Sequence, residues 1–593
     1  MKKILFFFTL LILGVAGVGV LYYFMMEKPF APPKGTVLLR ISQETTVVTE
    51  PLLPDGSAID FFAVLDQFAA AGADAENNGF RNIVRLLGRN IYGDISDEKW
   101  KILCAKLNLN PDDPPLLHYI PLFDFLCDAI EKEKEKHLVG ISPKEQARQI
   151  SFSFSFRIHE EILPEHLELL ERWITEMEPA ISAIAESLRQ PIYVIPPTGN
   201  FDFPDQFALP DMTVFPDFYY GIRVHNEMAQ MFTSRYLFRQ IKQETESDLS
   251  DSWDDVLSLF RIARHFGQQS FPESTNFANA FERNAAFRAT ELLKTGGFTA
   301  EKLRQCLVEL DALPTRTKYE ERLEYVRLGW LKNISEFPKK GPAVFHCYVI
   351  EPIPDHLSEE EKQTFRHLNV ETKKLIHIYR TVPFDWNIVA EIMNAEFDDR
   401  QGKPTKQTIF QSQPERRKLY EQNTLPEYSL DELKAIVDDG ALDWIMKMSN
   451  AGANAAWDIV QLQQMSLEER SILLGKTFSK YALKPEWFAH LSREGTTAFE
   501  MLKTAIALRL HKVENENYPA ALDELVEKGY LLEVPNDPYR RGIPQPLSYR
   551  VEPSGSCVLY SVGVNGTADA GLYTGTYSLE GRQGWDDVVI ELD

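Results

Sequence analysis

The stretch Leu163–Leu188, LPEHLELLERWITEMEPAISAIAESL, decides how the middle of this chain folds. Its apolar positions Leu163, Leu167, Leu170, Ile174, Met177, Ile181, Ile184 and Leu188 alternate spacings of four and three. At that period side chains return to one face of an α-helix, so the stretch predicts one long amphipathic helix. Pro164 suits the first turn, where a backbone N–H has no helical partner to lose. Pro179 lies inside and removes one internal bond, which predicts a kink. A seam this short, broken by proline, is expected to pack within its own chain, pairing with a second chain being the alternative.

Outward from this seam the helical pattern continues. AIDFFAVLDQFAAAG and NNGFRNIVRLLGRN read as a helical pair closed by glycine. SWDDVLSLFRIARHFGQQ places Trp253, Val256, Phe260 and Ala263 on one face, and DLSDSWDDV before it reads as an N-cap with negative charge at a helix start. TAEKLRQCLVELDALP opens on Thr299 and Glu301, close to a capping pattern. Between Pro191 and Tyr220 repeated proline, phenylalanine and aspartate stop both helix and central strand, so a long ordered loop is expected. No strict helical repeat recurs.

Composition agrees with a folded chain too long for one core: 593 residues, 44% hydrophobic and 25% charged. The formal charge of -24 repels phosphate, so no nucleic-acid partner is expected. EKEKEKH at 131–137 alternates its charges and reads as a solvated helix end. Cys104, Cys127, Cys306, Cys347 and Cys557 are scattered without a CxxC, which argues against a zinc site or a dense disulfide scaffold. One or two disulfides stay open if the chain lies outside the cytoplasm.

At the N-terminus Ile4–Met26 runs for 23 residues without a charge. As a helix it spans about 35 Å, against about 30 Å for a bilayer core. Lys2 and Lys3 precede it and Tyr22, Tyr23 and Phe24 close it, as expected of an uncleaved signal-anchor with its N-terminus inside. A cleaved signal peptide is the rival, but the bulky end of the run lacks a small-residue cleavage site. The expected location is the bacterial inner membrane, crossed once through residues 4–26, with the bulk of the chain extracytoplasmic.

Motifs for chemistry are sparse. His159-Glu160-Glu161 is not a zincin signature, and no phosphate-binding loop, nucleophile elbow or EF-hand loop occurs. His225 with Asn226 and Glu227, and Arg261 with Arg264 and His265, read as polar or mixed helix faces that could line a pocket. Twelve scattered histidines produce such groupings by chance, so no catalytic residue is assigned.

The last hundred residues change pattern. Phe499, Leu502, Ile506, Leu510 and Val513 form a helical stripe. A short helix follows Pro519 and stops at Gly529, YLLEVPNDPYRRGIPQPLSYRV leads by turns into a strand, CVLYSVGVNGTADAG reads as a strand and then a loop, and WDDVVIEL reads as a final strand, an order of long helix, short helix and small antiparallel sheet. Tyr518, Pro519, Leu522, Leu525, Pro535, Asp537, Pro538, Tyr549, Tyr560, Ser561, Gly563, Asn565 and Gly566 follow in the order of a motif. Over about 95 residues this resembles the globular part of the major pseudopilin of type II secretion systems. The resemblance implies a calcium-binding final loop, to which Asn565, Asp569 and Asp586 would contribute; no other cofactor is expected. Calcium wants six to eight oxygens, more than this loop's carboxylates supply. A pseudopilin carries its membrane helix directly before this module behind a processing site, whereas here the apolar run lies far upstream. The chain thus departs from an assembled subunit. ETTVVTEPLLPDGSAIDFFAVLDQ, SWDDVLSLFRIARHFGQQ and YSVGVNG also resemble a family of large, uncharacterised membrane-anchored bacterial proteins, which implies architecture and location but no reaction.

The expected fold is mainly α: an irregular helical bundle or α-solenoid-like body with a small pseudopilin-like α+β C-terminal domain and an N-terminal transmembrane helix. The expected boundaries are 1–34 anchor and linker, 35–150 N-terminal helical region, 151–340 central bundle, 341–494 second helical region and 495–593 C-terminal domain. The expected role is an extracytoplasmic scaffold with envelope protein partners. An accessory of a secretion or pilus-like system and an envelope hydrolase, with a site near His225 and His265, are the alternatives.

Overall fold

Apolar residues at helical spacing bury their stripes only against one another, and the architecture is the consequence of that requirement. The computed structural model describes residues 32–54, 56, 59–61, 63–64, 67, 72–92, 95–132, 142–156, 164–196, 218–242, 246–269, 273–315, 323–340, 378, 381–400, 403, 414–422, 459–483, 485–540, 544–563 and 588–593. The run Ile4–Met26, most of the Pro/Phe-rich stretch, Cys347, and the loop with Asn565, Asp569 and Asp586 lie outside them. Among the described residues no helix is long and apolar enough to cross a membrane. The described chain is mainly helical and divides into two compact units, one of Phe62–Phe201, Pro216–Tyr325 and Lys484–Asp593, the other of Met1–Phe61, Asp202–Phe215 and Val326–Leu483.

In the first unit come α1 (Gly79–Leu87), α2 (Asp97–Lys106), α3 (Leu122–Lys132), α4 (Pro143–Phe156), α5 (Pro164–Ser187), α6 (Phe218–Lys242), α7 (Glu246–Gly267), α8 (Glu273–Lys294) and α9 (Ala300–Asp311). Helix α5 starts on Pro164 and runs through Pro179. Leu170, Ile174, Met177, Ile181, Ile184 and Leu188 are buried, joined by Trp173 and Ala180, against α1, α3 and α6 of the same chain. Gly79 lets α1 begin hard against the end of α5: a Cβ there would stand 2.3 Å from the Ser187 carbonyl oxygen. Asn78 caps α1 by accepting from the Phe80 N–H at 3.1 Å, and Thr299 caps α9 by accepting from the Lys302 N–H at 3.2 Å. Trp253, Val256, Phe260 and Ala263 of α7 are all buried, but so are Leu257, Leu259, Ile262 and Phe266, so the helix is enclosed on nearly every side rather than along one stripe. DLSDSWDDV is corrected here. Helix α7 begins at Glu246, so these aspartates lie within its first turns rather than before it.

The second unit holds α11 (Trp386–Arg400), α12 (Pro414–Gln422), α13 (Ile459–Gln464) and α14 (Leu467–Leu483), with α10 (Leu323–Lys340) preceding them. Gly475 of α14 permits close contact with α11, since a Cβ would lie 2.8 Å from the Val389 carbonyl oxygen. Arg416 of α12 ties to Glu391 at 2.7 Å and Glu468 at 2.8 Å. The extended segment after residue 32 is stitched to α11: Val37 N donates to Phe384 O at 2.9 Å, Trp386 N to Val37 O at 3.0 Å, and Asn387 Nδ2 to Leu38 O at 3.1 Å.

The chain returns to the first unit with α15 (Pro485–Asn515), α16 (Asp523–Glu527), β1 (Ser548–Val551), β2 (Cys557–Ser561) and β3 (Val588–Leu592). The strands form an antiparallel sheet in the order β1-β2-β3, with Tyr549 opposite Leu559 and Leu559 opposite Ile590. Phe499, Leu502, Ile506 and Leu510 are buried as the stripe predicts, whereas Val513 is 47% exposed. Met501, Ala505, Ala507 and Leu508 are buried as well, because α15 packs on α8 and α9 on one side and on β2 and β3 on the other. One continuous apolar core runs from Phe80 of α1 to Leu592 of β3.

Candidate functional site

The two histidine groupings do come together, around Tyr193. The His265 ring stacks on Tyr193 with centroids 4.6 Å apart, and the His225 ring meets Tyr193 edge-on at 5.6 Å and Phe266 at 4.3 Å. Helix α7 supplies His265 and Phe266, α6 supplies His225, and the segment after α5 supplies Tyr193. All three polar rings are enclosed: His225 is 0%, His265 1% and Tyr193 4% exposed. The expected polar or mixed faces are thereby corrected for both histidines. A histidine supplies enough apolar ring surface to be packed in a core while one ring nitrogen is bonded.

The polar atoms around this cluster hold backbone. His265 Nε2 pairs with the Leu188 carbonyl oxygen at 2.8 Å. Gln269 accepts from Ile195 N at 3.1 Å and donates to the carbonyls of Tyr193 at 3.2 Å and His265 at 2.7 Å. Asn78 accepts from Val194 N at 3.0 Å and donates to Val194 O at 3.0 Å and Ala73 O at 2.8 Å. Two side-chain amides thus satisfy much of the chain between 188 and 196, whose one backbone bridge places Ile192 beside Asn78, with Gly79 N donating to Ile192 O at 2.8 Å. Burial holds the His265 imidazole below its usual range and pushes the Tyr193 phenol well above its own. Both groups are neutral at physiological pH and shut away from solvent, and their geometry serves to fix this segment.

The companions of the histidines go elsewhere. Asn226 is exposed, and Glu227 accepts from the Tyr119 hydroxyl at 3.1 Å, burial pushing its carboxyl up. Arg264 pairs with Glu282 at 2.6 Å and stands over the Phe499 ring at 4.6 Å, joining α7, α8 and α15. Arg261 is half-buried.

An unpredicted polar cluster lies in the interior of the first unit. Asp255 of α7 is 0% exposed. It takes Arg235 Nε at 2.8 Å on one oxygen and Arg239 at 2.8 Å on the other, and Arg235 also reaches Glu178 of α5 at 2.7 Å. Burial pushes the Asp255 carboxyl up to about 6, the two arginines offsetting only part of that cost. The i, i+4 spacing of Arg235 and Arg239 puts both guanidinium groups on one side of α6, but that helix carries other polar residues and the spacing alone does not single the pair out.

The motif residues of the C-terminal part are fastened to one another. Asp537 is 3% exposed. One of its oxygens accepts from Ser561 Oγ at 2.7 Å and Tyr539 N at 3.0 Å, and the other from Val562 N at 2.8 Å. The Tyr549 hydroxyl donates to Pro519 O at 2.8 Å, and the Tyr518 hydroxyl to Asp593 O at 3.0 Å. Asp537–Ser561 and Tyr549–Pro519 each join two separated pieces of the motif, and Tyr518 ties its piece to Asp593, which follows β3.

Asn565, Asp569 and Asp586 lie outside the described residues, and among the described residues no group of histidine, cysteine, aspartate and glutamate is arranged to hold a metal ion. Cys104, Cys127, Cys306 and Cys557 are free thiols. Burial pushes the Cys104 thiol up to about 11 and those of Cys306 and Cys557 to about 12, which leaves them protonated and unreactive at neutral pH. Comparison of the chain with known protein families, with curated proteins and with solved structures finds no match.

Proposed function

We propose that this chain is a membrane-anchored, extracytoplasmic scaffold or protein-interaction protein of the bacterial cell envelope. The observation that carries the reading is how the polar side chains of the body are used. His265, Gln269, Asn78, Asp255, Arg235 and Asp537 each bond to a neighbouring element of their own unit, so these side chains brace the fold. Helical units that follow an apolar run in the chain suit presentation of surface to partners. The run Ile4–Met26 supports inner-membrane anchoring with the bulk outside.

A second reading is an accessory of a type II secretion or pilus-like system. It is supported by the long helix, short helix and three-stranded meander, with Asp537 and Ser561 joining two parts of the pseudopilin-like motif. Calcium in the loop of Asn565, Asp569 and Asp586 belongs to this reading.

Both are tested on the full chain. Wild type should stay in the membrane pellet after alkaline extraction and be digested by protease added to spheroplasts, while Leu13→Arg/Val15→Arg should lose the membrane. Photo-crosslinkers at Val308, 67% exposed on α9, and at Leu532, 96% exposed in the C-terminal part, then report partners from intact membranes. Secretion or pilus components captured at Leu532 alone favour the accessory. Envelope proteins captured at Val308 favour the scaffold, and capture at neither site removes the support for both.

A further inference from the structure

We infer that the turn Pro51-Leu52-Leu53-Pro54 is a second contact with the lipid surface, inserted into the headgroup interface of the membrane that the N-terminal run enters. The inference rests on the anchoring reading above. Soluble surfaces leave single aliphatic side chains exposed at random, but this turn offers two in succession at the tip of a small hairpin. Leu52 is 43% and Leu53 38% exposed, and Leu38 (48%) and Ile41 (39%) are exposed on the segment leading to it. Four of the large exposed aliphatics of the described chain thus fall within residues 38–53.

The hairpin is held rather than loose. Leu52 bridges Ile59 antiparallel, Asp60 N donates to Pro51 O at 2.8 Å, and Gly56 N donates to Leu53 O at 2.8 Å, with Gly56 at φ +68° making the reversal. Ile59 and Phe61, just beyond, are buried at 5% and 2% and root it in its unit. The approach is fixed as well. Asn394 Nδ2 donates to Glu44 O at 3.0 Å and Thr45 O at 3.1 Å, and Thr46 Oγ1 donates to Ser42 O at 2.8 Å, around a left-handed Val47 at φ 64°. A β-branched residue in that region is strained, and the bonds around Val47 hold it there.

What selects lipid as the occupant is the length of chain. From Met26, where the apolar run ends, to Val37, clamped on α11, ten residues intervene, or eleven Cα–Cα steps. Fully extended they reach no more than about 40 Å, so Val37 and the segment it leads stay within that distance of the bilayer. Aliphatic residues at a rigid tip close to a membrane lose their water by entering the interface. The turn carries no basic residue and is flanked by Glu50 and Asp55, so the contact is apolar and, unlike a basic lipid-binding patch, is not weakened by salt.

The test uses the full chain in proteoliposomes of equal parts phosphatidylethanolamine and phosphatidylglycerol, with Cys127→Ser and Cys347→Ser removing the thiols that could compete for label. An environment-sensitive fluorophore is placed at Leu53→Cys, at Leu38→Cys, or at Val308→Cys as a control. Lipids carrying a doxyl quencher on the acyl chain should quench the labels at 53 and 38 severalfold more than the label at 308, and no less at high salt than at low. Equal quenching at all three positions, in a chain that floats with the vesicles, overturns the lipid contact and leaves the anchor standing. A chain that does not float overturns both. A blue shift at position 53 in detergent that grows with protein concentration also overturns it, by assigning the turn to a second copy.

Discussion

Replacing Asp255 tests whether the polar knot between α5, α6 and α7 stabilises the fold or only constrains it. Asp255→Ala leaves Arg235, whose side chain is 6% exposed, with Glu178 as its remaining carboxylate at 2.7 Å, and leaves Arg239 near Asp251 at 3.9 Å. Removing one partner of a buried pair costs about 3–5 kcal/mol, because the other charge stays buried. Arg235 keeps Glu178, and Arg239, 22% exposed, can turn to solvent. The expected loss is therefore at the low end, about 3 kcal/mol. In Arg235→Met/Asp255→Leu no charge is stranded, and the double variant should unfold within about 1 kcal/mol of wild type. The coupling between the two sites is then about 2 kcal/mol or more.

The assay is urea unfolding of the full chain in detergent, followed by the fluorescence of the buried tryptophans, which include Trp173 and Trp253 of this unit. The sign of the pH dependence follows from Asp255 as well. A carboxyl raised from 3.8 to about 6 binds a proton in the folded chain that the unfolded chain has released. Its contribution is full below pH 3.8 and is lost as pH rises through 6. The double variant should lack this component. If it is as unstable as Asp255→Ala, the ion pairs contribute net stability and the balance of desolvation over attraction argued here is wrong.

Asp537→Ala should cost about 3 kcal/mol, since it strands Ser561 Oγ, Val562 N and Tyr539 N, and Asp537→Asn less, as one oxygen still accepts; thermal unfolding of the full chain separates them. Gly79→Ala should cost about 1–3 kcal/mol, because a Cβ 2.3 Å from the Ser187 carbonyl forces α1 off α5, and an unchanged midpoint would contradict the close approach. His265 is held below its usual range, so its contribution to stability is full above pH 6.5 and falls as pH drops below that value; His265→Gln should flatten the fall in midpoint between pH 7 and 5. Cys306 and Cys557 should resist alkylation in the folded chain at neutral pH and react on unfolding, as read by mass spectrometry.

Helices were legible wherever the apolar period was long. The seam from Leu167 to Leu188, the Asn78 and Thr299 caps and the order of elements after Phe499 follow from spacing and from caps that act within one turn. What spacing does not carry is the number of faces a helix buries. Helices α7 and α15 looked amphipathic, yet each is enclosed by neighbours far away in sequence, and so His265 and His225 on α6 were read onto faces they do not occupy. Asp255 was read as capping charge for a similar reason: its partners lie on α6, and no local pattern reports a contact between helices. The role of Asp537 was half visible. Its turn follows from the proline beside it, but its grip on Ser561 spans 24 residues and needs the sheet in place.

The packing of α15 decides how the C-terminal part can act. A long helix that covered only this small sheet would leave its remaining faces open. Here α15 also lies along α8 and α9, with Arg283 paired to Glu494 at 2.7 Å and Lys503 to Asp311 at 2.5 Å. Gly495 brings it so near α8 that a Cβ would stand 2.5 Å from Asn279 Oδ1. Cutting the chain before α15 would therefore uncover the buried faces of α8 and α9, and loss of a partner by such a truncation would report an opened core rather than a missing docking site. Among the described strands β1 and β3 have one neighbour each, so the edges and the turns between strands are what this part can offer a partner while α15 stays buried. Substitutions at those edges in the intact chain, not deletions, separate a docking role from a structural one.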